Sequence, residues 1–159
     1  MNSNPINGAA LKVQVTRPDG NRTLPHKSVV PLNLLPVRIL LVDDEPLVVG
    51  AAASLLKRLG YLVTACTSSI KARQVFSENP QEFDLVITDM SMPLMSGLEL
   101  AADLVKLRPD LPIILCTGGG GPICLEVARQ AGIREILLKP ANIQEIAESI
   151  QRLLDYQEG

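Results

Sequence analysis

The residues with chemistry to offer are Asp43, Asp44, Glu45, Asp89, Thr117 and Lys139. Each acidic, hydroxyl or amino group follows an apolar run. Ile39-Leu40-Leu41-Val42 precedes Asp43, and Leu85-Val86-Ile87-Thr88 precedes Asp89. Ile113-Ile114-Leu115-Cys116 precedes Thr117, and Ile136-Leu137-Leu138 precedes Lys139. If these runs are strands of one open parallel sheet, ligands bind beyond their carboxyl ends, near the point where strand order reverses. Asp43, Asp44 and Asp89 are then expected to share one small site. Three carboxylates so placed repel one another unless a cation joins them. Mg²⁺ suits the role, because it takes few carboxylate oxygens and keeps other positions for water or phosphate oxygens. Lys139 adds a fixed positive charge and Thr117 a hydroxyl donor. The set suffices for phosphoryl transfer to a carboxylate, with an Asp nucleophile, a metal against the developing charge, and Lys and Thr on the other oxygens. Singly, each residue has a plainer reading. Asp44 or Glu45 can cap a helix, Thr117 can end a turn, and Lys139 can be solvated. Four strand ends delivering the right groups together favour the site.

The elements that must position these groups alternate. After Val37–Val42, Pro46 suits a first helical turn, and Val48, Ala52, Leu55, Leu56 and Leu59 follow at helical spacing up to Gly60. A second strand runs over 61–66. Ser68 or Ser69 caps a second helix with Ala72, Val75 and Phe76 inward. The third strand, 83–88, ends at Asp89, and Ser96-Gly97-Leu98-Glu99 is a capping box opening a helix to about Leu107. A fourth strand spans 112–116, a fourth helix 123–131, and a fifth strand 135–138. Asn142-Ile143-Gln144-Glu145 opens a last helix with Ile143, Ile146, Ala147, Ile150, Leu153 and Leu154 on one stripe. Five βα units predict an α/β fold, a doubly wound parallel sheet of order 2-1-3-4-5. Residues 1–36 hold five prolines and no sustained period, apart from a short alternation at Leu11–Val15. They read as an extension or linker preceding a domain at 37–156.

Of the 159 residues 47% are apolar and 3% aromatic, with no Trp, so the core must be aliphatic. Fifteen basic against seventeen acidic residues leave a net charge of −2, without the basic excess expected of a nucleic-acid surface. No apolar run is long enough to span a membrane, and the N-terminus has no secretory pattern. Cys66, Cys116 and Cys124 lie in apolar segments without metal-ligand spacing and read as reduced core cysteines of a cytoplasmic protein. Gly118-Gly119-Gly120-Gly121 is no phosphate-binding loop, because Pro122-Ile123 stands where Lys-Ser or Lys-Thr is required. It reads as a flexible link between the fourth strand and helix.

These motifs together resemble the response-regulator receiver domains of two-component signalling. The resemblance rests on Leu40-Leu41-Val42-Asp43-Asp44-Glu45-Pro46, on Ile87-Thr88-Asp89-Met90-Ser91-Met92-Pro93 with Ser96-Gly97, on Leu115-Cys116-Thr117-Gly118, and on Leu137-Leu138-Lys139-Pro140. It covers about residues 37–155, and the loops look closest to receivers associated with sensor histidine kinases. It implies a flavodoxin-like fold with Asp89 as phosphoacceptor. It further implies that Asp44, Asp89 and the backbone carbonyl of Ser91 bind Mg²⁺, with Asp43 supporting the metal through water. Thr117 takes the role of switch hydroxyl, Lys139 binds phosphate, and the Lys139-Pro140 bond is cis. The implied donor is a histidine kinase or a histidine phosphotransfer protein.

One position departs from the family. Ile136 stands where many receivers carry an aromatic residue whose rotation reports phosphorylation, so output is expected through the glycine loop and the fourth helix. No DNA-binding region follows in this sequence, and the expected output is protein contact without direct binding of nucleic acid or membrane. Alternatives are a receiver segment of a larger hybrid histidine kinase, a receiver-like module that is never phosphorylated, and a Mg²⁺-dependent phosphohydrolase. The last normally places its nucleophile after the first strand, with a second Asp two residues on, where this chain has Ser91.

Overall fold

The computed structural model describes residues 36–119 and 125–155. Its elements are β1 (Arg38–Val42), α1 (Pro46–Arg58), β2 (Leu62–Cys66), α2 (Ser69–Glu78), β3 (Leu85–Asp89), α3 (Gly97–Leu107), β4 (Ile113–Thr117), α4 (Leu125–Gln130), β5 (Glu135–Leu138) and α5 (Ile143–Asp155). A 3₁₀ turn at Pro80–Glu82 leads into β3. The strands form one parallel sheet of order β2-β1-β3-β4-β5, as the βα alternation predicts. The expected strand at 11–15, the start of the fourth helix at Ile123, and Cys124 lie outside the described residues.

The sheet is covered on both faces. Alternate residues of a strand point to opposite sides, so Leu40 and Val42 join one core and Ile39 and Leu41 the other. Ala72 and Phe76 of α2, Leu100, Ala101 and Leu104 of α3, and Ala128 of α4 fill the first core. Val49, Ala53 and Leu56 of α1 and Ile150 of α5 fill the second. Each fully buried Leu, Ile or Phe contributes roughly 1.5–3 kcal/mol of transfer free energy. β3 and β4 are buried at every position, which explains the apolar runs Leu85–Ile87 and Ile113–Cys116 that lead to their polar ends.

Capping follows the sequence closely. The Ser68 hydroxyl accepts from the Lys71 N–H at the start of α2. Ser96 and Glu99 form the complete reciprocal box at α3. Asn142 and Glu145 exchange hydrogen bonds of 2.9 and 3.0 Å at α5. α1 is different. Its buried positions are Val49, Ala53 and Leu56, whereas Val48, Leu55 and Leu59, expected inward, are 41%, 41% and 54% exposed. The segment Pro46–Leu56 carries no charge, so periodicity alone does not fix the helix's rotation, and packing against β1 and α5 decides it. Arg108, directly after α3, carries no signal of its own in the sequence. Its guanidinium, largely buried, donates to the main-chain carbonyls of Pro80 and Phe83 and pairs with Asp110.

Gly97 marks a close approach between α3 and the end of β3. Its N–H donates to the Met90 carbonyl at 2.9 Å, and a Cβ there would stand 2.1 Å from the Asp89 carbonyl oxygen. Gly97→Ala is therefore expected to push α3 off the end of β3 and cost roughly 3 kcal/mol in urea unfolding. An unchanged midpoint would contradict that packing. Burial also raises the thiol pKa of Cys66, with Lys71 opposing, and pushes Cys116 up to about 11. Both thiols stay protonated and enclosed at pH 8. Peptide mapping after iodoacetamide treatment of the folded protein should find both unmodified, and modified once the chain is unfolded.

Candidate functional site

The register aligns the strand ends. Val42 pairs with Cys66 and Thr88, Asp89 with Cys116, and Thr117 with Leu138. Asp43, Asp89, Thr117 and Lys139 therefore lie along one end of the sheet. β1 and β3 are neighbours, which brings Asp43 beside Asp89. β5 lies at the sheet edge, so Lys139 must reach inward with its long side chain. The peptide bond following it, to Pro140, is cis, as the resemblance implies. The Lys139 N–H donates to the Thr117 carbonyl at 2.7 Å and fixes the base of that side chain.

Lys139 Nζ donates to Asp43 Oδ2 at 2.7 Å and lies 2.6 Å from Asp89 Oδ1. Both carboxylates are about nine-tenths buried, and the lysine side chain is 29% exposed. Their second oxygens are held by the main chain. The Glu45 N–H donates to Asp43 Oδ1 and the Ser91 N–H to Asp89 Oδ2, each at 2.9 Å. Burial works against the charge on Lys139. The hydrogen bonds and fields of Asp43 and Asp89 outweigh it, and the ammonium is held above the ordinary lysine range. One cation thus joins two acidic groups that would otherwise repel.

The other expected residues are placed unequally. Thr117 is buried, and its hydroxyl accepts from the Gly119 N–H at 3.5 Å, longer than an ordinary N–H···O bond. Asp44 is half-buried at the bend after Asp43, and its carboxylate takes part in neither ion pair to Lys139. Among the described residues no three His, Cys, Asp or Glu side chains gather closely enough to hold a metal ion by themselves. Two of the three expected carboxylates, those of Asp43 and Asp89, meet on Lys139. Asp43 turns its carboxylate onto Lys139, and Asp44, the adjoining residue, does not follow it. The donor set still fits Mg²⁺, which needs only one or two carboxylates beside waters or phosphate oxygens. Of the glycine run, Gly118 and Gly119 are described, and Gly120 to Ile123 lie outside the described residues. Ile136, on β5, is partly buried against the core.

The sequence gives no warning of Leu94. It follows Pro93 in the loop after β3, with φ of 69° and 93% of its surface exposed. A non-glycine residue in this left-handed region is uncommon. Its only sequence signal is position, after a proline and just before the α3 capping box.

Comparison with known proteins agrees with this geometry. The family model described as the response regulator receiver domain matches residues 39–151. The two-component response regulators ORR22 of Oryza sativa subsp. japonica and ARR12 of Arabidopsis thaliana are each 36% identical over 118 residues, covering 74% of this chain. The chain spans only 17% and 20% of those relatives' lengths. A receiver domain from Clostridium thermocellum superposes with a TM-score of 0.71 at 31% identity, over 77% of this chain and 97% of that one. The response regulator TrrA of Thermotoga maritima, in complex with Mg²⁺-BeF, superposes with a TM-score of 0.66 at 33% identity, over 74% and 99%. The strand order, the acidic pair at the ends of β1 and β3, and these matches lead to one conclusion: this chain belongs to the response regulator receiver domain family of two-component systems.

Proposed function

We propose that the chain is a phosphoacceptor in a phosphorelay and that Asp89 receives the phosphoryl group. The observation that supports this most is the Lys139 ammonium seated between Asp43 and Asp89. A fixed cation beside a buried carboxylate is placed to hold a phosphoryl oxygen as the group arrives. The donor is the phosphohistidine of a histidine kinase or histidine phosphotransfer protein. An Asp89 carboxylate oxygen forms a bond to phosphorus, the phosphorus–nitrogen bond breaks, and the imidazole leaves with its electron pair. The Ser91 N–H orients the carboxylate, and the Thr117 hydroxyl turns to a second phosphoryl oxygen. Asp44, Asp89 and the Ser91 carbonyl would hold Mg²⁺, with Asp43 behind them. When bound, Mg²⁺ supplies positive charge against that developing on the phosphoryl oxygens. TrrA, crystallised with Mg²⁺-BeF, supports this expectation.

The chain acts as a signalling acceptor with slow self-dephosphorylation and no turnover of its own. In this reading residues 37–156 are the receiver, residues 1–36 an extension, and the location is cytoplasmic. Among the described residues no helix is long and apolar enough to cross a membrane. Output passes by protein contact through the surface of α4, β5 and α5, because Thr117 and Lys139 border those elements and Ile136 offers no aromatic switch. A second reading makes this receiver a segment of a larger hybrid histidine kinase; the relatives' greater length supports the part of it that places the receiver within a longer protein.

Incubation with acetyl phosphate and Mg²⁺ is expected to add one phosphoryl group to the intact mass, and Asp89→Asn to add none. An unmodified parent chain under those conditions, and with phosphorylated histidine donors, would overturn the proposal. Lys139→Met keeps the side-chain stem and removes the charge, leaving two buried carboxylates without their shared partner. It should lower stability at neutral pH by about 2–4 kcal/mol in urea titrations. Added Mg²⁺ should recover part of that loss, and a variant as stable as the parent would sink the assigned role of the cation.

A further inference from the structure

Thr88 is out of keeping with the residues before it in β3. Leu85, Val86 and Ile87 are apolar, and Thr88 is fully buried behind them. Val or Ile would suit a buried strand as well, since both share its branched Cβ. A hydroxyl taken out of water costs free energy unless it finds a partner. The partner of Thr88 Oγ1 is the main-chain carbonyl of Asp89, to which it donates at 3.1 Å. Successive side chains of a strand point to opposite faces, so Thr88 is directed away from the Asp89 carboxylate. It reaches the acceptor residue through the main chain.

That contact lies where the strand pairing gives out. On the β1 side the register ends at Val42 and Thr88, so the Asp89 carbonyl stands beyond the last pair. A peptide unit is planar, so the Asp89 carbonyl and the Met90 N–H turn together. Thr88 holds the first of these groups, and the second donates to the Cys116 carbonyl at 2.8 Å. The next unit is held at both ends as well. Its carbonyl, that of Met90, accepts from the Gly97 N–H at 2.9 Å, and its Ser91 N–H donates to Asp89 Oδ2 at 2.9 Å. The two planes are joined at the Cα of Met90. The aim of the Ser91 N–H at the carboxylate therefore depends on the plane before it, which Thr88 pins from within the core.

We propose that Thr88 is a positioning residue for the phosphoacceptor. Its hydroxyl fixes the Asp89–Met90 peptide, and through it the Ser91 N–H that orients the Asp89 carboxylate. The inference rests on the phosphoacceptor reading of Asp89. Without the hydroxyl the peptide can tilt, and the carboxylate meets an arriving phosphorus atom in the productive direction less often.

Two substitutions in the full chain separate position from packing. Thr88→Val keeps the shape and removes the hydroxyl, whereas Thr88→Ser keeps the hydroxyl and leaves a methyl-sized gap in the core. With acetyl phosphate and Mg²⁺, Thr88→Val should gain its phosphoryl group about five-fold more slowly than the parent, the worth of one ordinary hydrogen bond. Thr88→Ser should stay within about two-fold of the parent although its urea midpoint falls. In the unphosphorylated protein the Ser91 amide should exchange with deuterium about five-fold faster in Thr88→Val and at the parent's rate in Thr88→Ser. A Thr88→Ser chain as slow to be phosphorylated as Thr88→Val would make the effect one of packing and overturn the proposal. So would unchanged exchange at Ser91 in Thr88→Val. A parent chain that accepts no phosphoryl group overturns the acceptor reading itself, whereas a parent that accepts it no faster than Thr88→Val overturns the role of Thr88 alone.

Discussion

The structure turns on holding two buried carboxylates side by side. Asp43 and Asp89 end adjacent strands, so the sheet order itself forces them together. Removing two negative charges from water is expensive, and their proximity adds repulsion. Lys139 offsets both costs, and main-chain N–H groups take the second oxygen of each carboxylate. Such a cluster is a poor way to stabilise a fold. What it provides is a positive charge fixed beside two carboxylates at the open end of the sheet.

The surrounding elements can be understood from that requirement. Ile39–Val42, Leu85–Ile87 and Ile113–Cys116 are apolar, so the polar groups of these strands, Thr88 and Thr117 beside the acidic pair, gather at their carboxyl ends. Gly97 lets α3 start directly against the Asp89 carbonyl. Arg108 anchors the turn that feeds β3 from the opposite end. The main-chain bond from Lys139 to the Thr117 carbonyl ties β4 to β5 at the site, so a shift of Thr117 reaches the edge strand directly. On the same strand Glu135 is gripped by Ser149 and Arg152 of α5, which extends that connection to the last helix.

Much of this was legible in the sequence for identifiable reasons. Capping residues such as Ser68, Ser96 and Asn142 act locally, so they mark helix starts without knowledge of the tertiary structure. Asp89, Thr117 and Lys139 were found because each closes an apolar run, and the βα alternation dictates where strand ends go. The rotation of α1 was not legible, since an uncharged helix looks much the same from several sides and only packing selects Val49, Ala53 and Leu56. Which of Asp43 and Asp44 pairs with Lys139 was not legible either. Sequence places residues on an element, whereas the direction of a carboxylate in a bend depends on which donors reach it. Arg108 escaped because the carbonyls of Pro80 and Phe83 meet it only in the folded molecule.

The position of β5 has a consequence for how the protein comes into being. It is the last described strand and sits at the edge of the sheet, paired among the described residues with β4 alone. A chain made from its N-terminus presents Asp43 and Asp89 well before Lys139. β2, β1, β3 and β4 can pair in the meantime, with the acidic groups at their ends lacking their cation. Docking of β5 is then the closing event that relieves the charge conflict. The arrangement that the proposed phosphoryl transfer requires is therefore complete only once the edge strand has docked.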